Sequence, residues 1–364
     1  MKANELSFDF PESLIATEPQ SISRVLHVPF RGAPTEITLP RLLDLMSGGD
    51  VLVVNSTKVL KRRIFGRQPD GRELEILFLN KLDQANIESS ASSSSSGFDP
   101  DLGWEVLFPT KGLKVGARIE LPEGLHMSLT RKGRPQQVQV SAPLSEAFFL
   151  KHGELPLPPY IQKARGVRHT QTQDGKWYQT DWARDPGSLA APTASLHFSE
   201  SDLELLKRKD VRVVSLVLHV GLGTFLPVTV EDLNDHVMHE EYIEIPAETW
   251  QTILTAKQSK QKVWCMGTTV TRAVESAATG LLRESQGSYS GKSGLLIQPG
   301  FSWQITDCLL TNFHQPKSTL LALVAAFAGL ERVQECYRWA IQRQFRLFSY
   351  GDLSVWERGQ AQED

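Results

Sequence analysis

Between positions 65 and 143 helical periodicity disappears. Strand-like runs follow one another at 74–79, 104–108, 117–121, 127–131 and 138–140, with Gly/Pro turns between them. Such texture predicts a small antiparallel sheet or barrel. On either side the pattern is different. Val51-Leu52-Val53-Val54 is apolar on both faces and β-branched, as a buried parallel strand is. After position 196, strands at 211–218, 262–266 and 309–310 alternate with helices at 199–209, 268–278, 318–329 and 331–344. Further helices are expected near 11–15, at 39–46 and at 145–151, with another opening at Pro246 and a stiff Pro-rich connector at 155–160. An insertion enters a domain at a surface loop, so the expected fold is a discontinuous α/β domain. Residues 1–64 and 152–364 form it from both chain ends, and 65–151 form an inserted β-barrel with a Ser-rich loop at 91–97.

Composition narrows the function classes. The chain has 364 residues, 39 Lys+Arg and 42 Asp+Glu, without a basic tail, which excludes an electrostatic nucleic-acid coat but leaves room for one local patch. Three cysteines without short spacings argue against a disulfide framework or a cysteine zinc site. The polar start MKANELSFDF has no signal-peptide core, and the apolar stretch 320–330 is too short for a bilayer span. A cytoplasmic protein is expected.

Polar blocks cluster where predicted strands end. Asn55-Ser56-Thr57-Lys58 follows the first buried strand. Five of the nine histidines lie between His197 and His314, in a region that also holds APTASLHF (191–198), HVGLGTF (219–225), GTTVTRAVE (267–275) and TNFHQPKST (311–319). Each alone is weak, since a strand-end histidine is more often a structural hydrogen-bonder and a strand-end glycine usually a turn. Together they suit a small-molecule pocket at the carboxyl ends of parallel strands. Helical spacing puts Thr268 with Arg272, and Arg272 with Glu275, on one face.

Other chemistries are weighed on the same residues. His236 and His239, at a spacing of three that fits one helix face, could join His219 at a metal, but the H-E-x-x-H order is absent. Gly287-Ser288-Tyr289-Ser290-Gly291-Lys292-Ser293 has its glycines one residue too close for a phosphate loop, and no G-x-G-x-x-G follows a strand. Lys163, Arg165, Arg168 and His169, followed by Trp177, Tyr178 and Trp182, could track phosphates and stack bases, or could be a solvated loop over core aromatics. Arg332, Arg338, Arg343 and Arg346 read as the solvated face of a helix spanning 331–346.

In these blocks, together with VNSTKV (54–59), GELPLPPYI (153–161), HVMHE (236–240) and FSYGD (348–352), the sequence resembles the S-adenosylmethionine:tRNA ribosyltransferase-isomerase family. The resemblance runs through almost the whole chain in order. It implies an α/β domain with an inserted barrel. It also implies transfer and isomerisation of the ribosyl part of S-adenosylmethionine onto 7-aminomethyl-7-deazaguanine at the tRNA wobble position. Epoxyqueuosine would be formed, with adenine and methionine released. S-adenosylmethionine is then a consumed cosubstrate. No cofactor, metal, membrane or obligate protein partner is implied. The family's T-A-G-L-H-F has Ser195 in its glycine position here.

On that reading His197 and His314 are the proton-transfer candidates, because histidine titrates near working pH. Gly221, Gly223 and Thr224 would line the nucleoside pocket. Asn55, Thr268, Thr269, Arg272 and Glu275 would hold ribose, methionine or the modified base, with Arg272 on the methionine carboxylate. Asn312 and Lys317 would orient substrate oxygens. Lys163, Arg165, Arg168 and Tyr178 are the weaker candidates for tRNA contact. The alternatives are an RNA-binding module with a vestigial pocket and a metal-dependent hydrolase using His219, His236 and His239.

Overall fold

A computed structural model describes residues 1–20, 23–82, 99–221, 223 and 228–359. The Ser-rich loop 91–97 and Thr224 lie outside the described residues. In chain order the strands are β1 (Arg24–Val28), β2 (Thr35–Thr38), β3 (Val51–Asn55), β4 (Thr57–Val59), β5 (Arg63–Arg67) and β6 (Glu73–Lys81). They continue with β7 (Gly103–Leu107), β8 (Arg118–Glu120), β9 (His126–Arg131), β10 (Gln136–Val140), β11 (Asp185–Ser188) and β12 (Arg212–His219). The last six are β13 (Glu241–Ile245), β14 (Val263–Met266), β15 (Arg283–Ser285), β16 (Ser288–Ser293), β17 (Cys308–Asn312) and β18 (Leu353–Glu357).

Two units are formed. One comprises Met1–Val59, Leu157–Arg168 and the chain from Thr172 onward. Its sheet has ten strands in the order β15-β16-β13-β12-β3-β14-β17-β18-β1-β2. The middle four, β12, β3, β14 and β17, are mutually parallel. Every residue of β3, β14 and β17 is buried, as a sheet covered on both faces requires. Alternate side chains feed opposite cores. Leu309 packs with the helices Thr319–Ala328 and Leu330–Gln342. Leu310, one residue on, packs with Leu42, Leu43, Leu203 and Leu206. The apolar run at 320–330 is this first buried helix. Among the described residues no helix is long and apolar enough to cross a membrane.

The second unit comprises Leu60–Pro156 and His169–Gln171. Six antiparallel strands close a barrel in the order β10-β7-β6-β5-β8-β9. Burial alternates along β6 and β10, so Ile76, Phe78, Val138 and Val140 point into one core with Trp104, Ile119 and Met127. Gly66 lets β5 approach β8, because a Cβ there would lie 2.8 Å from the Glu120 carbonyl oxygen. This unit reaches beyond 65–151: β5 begins at Arg63, and Arg63 forms an isolated antiparallel bridge with Glu154.

Several local expectations are corrected. The helix expected near 11–15 is a single turn, Glu12–Leu14. Pro159 does not continue an extended connector but opens the helix Pro159–Arg165, where its missing N–H costs nothing. His236 and His239 share no helix. The glycine-rich stretch at 287–293 is a hairpin arm, β16, which removes the phosphate-loop geometry. The helix expected to reach 346 ends at Gln342. Arg332 and Arg346 are not a solvated face: they donate to the carbonyls of Pro29, Phe30 and Gly32, and of Glu18, respectively.

Candidate active site

A cavity of about 580 Å³ opens where the parallel strands end, and every residue lining it belongs to the first unit. β14 ends at Met266. Gly267, with φ +96°, then turns the chain into the helix Thr268–Ala278 in a conformation a side chain would strain. Thr268, Thr269 and Arg272 reach the cavity from that helix's first turns. Neither threonine caps it. The Thr269 hydroxyl is buried without a hydrogen-bond partner among the described residues.

Arg272 is 6% exposed and only partly committed. Its Nη1 donates to Glu241, and its Nε donates to the Leu295 carbonyl at 3.2 Å. Its Nη2 is buried with no hydrogen-bond partner among the described residues. Glu241 is held from its other side, accepting from the Gly221 amide at 3.0 Å. A guanidinium with one edge on a fixed carboxylate and one nitrogen unsatisfied is arranged to receive an anionic or carbonyl oxygen.

β17 brings the second group. The Asn312 side chain donates to the Gly351 carbonyl at 3.3 Å and meets His197 Nε2 at 3.1 Å, while its Oδ1 accepts from Thr193 at 2.8 Å. His314 lines the cavity, with Nε2 2.7 Å from the Thr311 hydroxyl and its backbone N–H on the Tyr337 hydroxyl. Lys317 also lines the cavity, exposed, in the left-handed region at φ +55° and tied there through its N–H to the Leu6 carbonyl. Tyr160, Tyr178, Phe313 and Phe348 supply aromatic wall. Burial pushes the Tyr160 hydroxyl up to about 12, and it contacts Ser349.

The sequence-based assignments sort accordingly. Thr268, Thr269, Arg272, Asn312, His314, Lys317, Lys163 and Tyr178 come together around the cavity. His197 does not line it but stands behind Asn312, with Nδ1 2.7 Å from Ser23 Oγ. Asn55 is not a ligand-binding group: its amide is spent tying β3 to β12 through both backbone groups of Leu218. Glu275 does not share the Arg272 surroundings. Its carboxyl accepts from Gln304, Ile305 and Thr306, away from the cavity. Gly221 serves through its amide on Glu241, and Gly223 packs close to His239. Arg165 offers no phosphate contact, because it forms a two-pronged pair with Asp174 and reaches the Thr17 carbonyl. Tyr178 is 1% exposed and edge-on to Tyr350, so it cannot stack a base on the surface. Arg168 is exposed and outside the cavity, and Lys163 pairs with Glu12 at 3.1 Å. Among the described residues no three His, Cys, Asp or Glu side chains are grouped to hold a metal.

Glu241 and Thr193 were missed. The signal for Glu241 is a register one: in EYIEI the buried positions are 241, 243 and 245, so an acid occupies the apolar face of β13. An inward acid needs a partner, and Arg272 is the buried cation available.

Desolvation lowers the His197 imidazole to about 4 and the His314 imidazole to about 3, from an ordinary value of 6.5. Between those values and 6.5 the unfolded chain binds more protons than the folded one. Stability therefore falls as pH drops through 6.5, by up to about 1.4 kcal/mol per pH unit per histidine. The urea midpoint is expected to drop between about pH 7.5 and about pH 5, and to drop less in a His197→Gln/His314→Gln variant. Glu357, held near 2 by His27 and Lys262, has its stabilising effect intact throughout that window and loses it only below 4.5. A midpoint unchanged across the window would refute neutral burial of both rings.

The sequence matches the profile of the queuosine biosynthesis protein family over residues 3–355. The fold is shared with the crystal structure of an S-adenosylmethionine tRNA ribosyltransferase from Thermotoga maritima, which is 26% identical. That alignment covers 96% of this chain and 99% of the other, with a TM-score of 0.52. With the profile match spanning both units, this chain belongs to the queuosine biosynthesis protein family.

Proposed function

We propose that the chain is a tRNA ribosyltransferase-isomerase. It moves the ribosyl part of S-adenosylmethionine onto 7-aminomethyl-7-deazaguanine at the wobble position, forming epoxyqueuosine and releasing adenine and methionine. The observation that carries this reading is the half-committed Arg272 in a cavity of about 580 Å³, the size range of small-ligand sites. The similar Thermotoga maritima protein, a tRNA ribosyltransferase named for S-adenosylmethionine, supports the choice of ligand. S-adenosylmethionine is consumed, and the scheme uses no cofactor or metal. A reaction on tRNA fits a cytoplasmic protein without an obligate protein partner.

In this scheme Arg272 Nη2 takes the methionine carboxylate, while Glu241 holds the guanidinium plane. The sulfonium acidifies the 5′ carbon, and loss of that proton gives a sulfur-stabilised ylide. The ylide opens the sugar ring at C4′–O4′ to a C4′=C5′ vinyl sulfonium, and the freed O4′ pair forms a C1′ aldehyde as the glycosidic bond breaks and adenine leaves with a proton. The unprotonated RNA amine adds to C4′ and sheds its extra proton, the regenerated C5′ ylide bonds to the C1′ carbonyl to close a carbocycle, and the resulting alkoxide attacks C5′, forming the epoxide and expelling methionine. His314, neutral at working pH, is available to accept a proton inside the cavity. The aromatic wall excludes water from the reactive sugar. Lys317 and Lys163 are exposed at the cavity and would meet RNA phosphates, Lys163 on leaving Glu12.

The test is adenine release from S-adenosylmethionine with matched tRNAs carrying or lacking the modified base. Release only with the modified tRNA is expected. Folded protein that binds this tRNA yet releases no adenine would overturn the proposal.

A further inference from the structure

Four hydrogen bonds behind the cavity have a direction that one group fixes. The Gly351 carbonyl can only accept, so the atom of Asn312 facing it, 3.3 Å away, is the NH₂. The flipped amide would put two carbonyl oxygens against each other. Asn312 Oδ1 therefore faces Thr193, and at 2.8 Å it takes the only proton that hydroxyl has. The second amide hydrogen points to His197 Nε2 at 3.1 Å, which must carry its lone pair. The His197 proton then sits on Nδ1 and is donated to Ser23 Oγ at 2.7 Å.

We infer that Thr193 is a specificity-determining residue whose hydroxyl, locked as a donor to Asn312, presents only lone pairs to the cavity and selects an N–H or O–H donor on the bound substrate. Thr193 lines the cavity, while His197, behind it, does not. His197 is thus a positioning residue: its neutral ring orients Asn312, which orients Thr193. The low imidazole value, set by desolvation and by the Arg346 charge, agrees with a lone pair at Nε2. The inference rests on the proposed ribosyl transfer for the identity of the substrate. An amine or hydroxyl of the sugar or modified base supplies the donor class. An acceptor at the same place would meet lone pair against lone pair.

Two experiments test it. The first needs no activity: two-bond ¹H–¹⁵N correlation of ¹⁵N-histidine-labelled protein at neutral pH. The His197 ring, assigned by loss of its signal in His197→Gln, is expected as the Nδ1–H tautomer. A proton on Nε2 would overturn the fixed direction. The second compares Thr193→Val with Thr193→Ser in adenine release. The valine variant is expected to lose about 10- to 100-fold in kcat/KM, the cost of an unpaired substrate donor, and to unfold at a lower urea midpoint because buried Asn312 Oδ1 loses its donor. Serine is expected to restore most of that loss. Equal activity of all three proteins would overturn the role of Thr193. Absence of adenine release from the unsubstituted chain would instead overturn the proposed transfer, leaving the tautomer result to decide the direction of the network.

Discussion

Replacing Arg272 with methionine is expected to weaken S-adenosylmethionine binding by about a hundredfold or more and to destabilise the fold by about 3–5 kcal/mol. Both losses have one origin. Arg272 Nη1 neutralises Glu241, which is 4% exposed, and Nη2 is the unsatisfied nitrogen at the cavity. Removing the cation strands the carboxylate as well as the ligand. The two effects separate in the double variant Arg272→Met/Glu241→Gln. An amide at 241 can still accept from the Gly221 N–H and carries no charge. Stability is expected to recover by more than half while binding stays lost. Arg272→Lys is intermediate: it keeps the charge but cannot satisfy Glu241 and a ligand along two edges at once. Equilibrium dialysis against labelled S-adenosylmethionine, with urea denaturation of each variant, reads both quantities. Recovery of binding along with stability would mean that Arg272 only holds β13 to its helix.

The fold was legible wherever one period dominated. VLVV announces β3 because all its positions are buried, and the regular spacing of 268–278 gives its helix residue for residue. The barrel strands β6 and β10 were legible through alternation. Some of the strands that escaped have partners far away in sequence. β1 and β18 pair in parallel across more than three hundred residues, Val25 opposite Leu353, and nothing local in RVLHV or LSVWE specifies that register.

The site divided along the same line. Residue types pointed to the ends of β14 and β17, where the structure has a cavity. Residue roles did not follow, because they depend on which hydrogen-bonding capacity the fold consumes. Asn55, His197 and Arg165 carry the chemistry a ligand site needs, yet Leu218, the Ser23–Asn312 pair and Asp174 take it up. Arg272 keeps a free nitrogen because its helix places it between one carboxylate and the cavity. Satisfaction of polar groups is a three-dimensional sum, and spacing along the chain does not encode it.

Glu275 makes that distinction measurable. It sits one turn beyond Arg272 on the same helix and is fully buried. Its Oε2 accepts from the Gln304 amide at 2.9 Å, and Oε1 accepts from the amides of Ile305 and Thr306 and from the Thr306 hydroxyl at 2.8–3.1 Å. One side chain thus satisfies the three backbone donors that lead into β17. Glu275→Ala would leave those donors unpaired around a new cavity. At about 1–3 kcal/mol for each buried unsatisfied group, the loss is comparable with the whole margin of about 5–15 kcal/mol that holds such a domain folded. That variant is expected to be insoluble or unfolded. Glu275→Gln is the informative one: its carbonyl replaces one acceptor oxygen, and its NH₂ confronts the remaining donors. A loss of about 2–4 kcal/mol in urea denaturation is expected. Because no Glu275 atom lines the cavity, the folded Gln variant should bind S-adenosylmethionine as tightly as the unsubstituted chain. Lost affinity with an unchanged urea midpoint would return Glu275 to the ligand-binding set and break the separation drawn between the two sides of this helix.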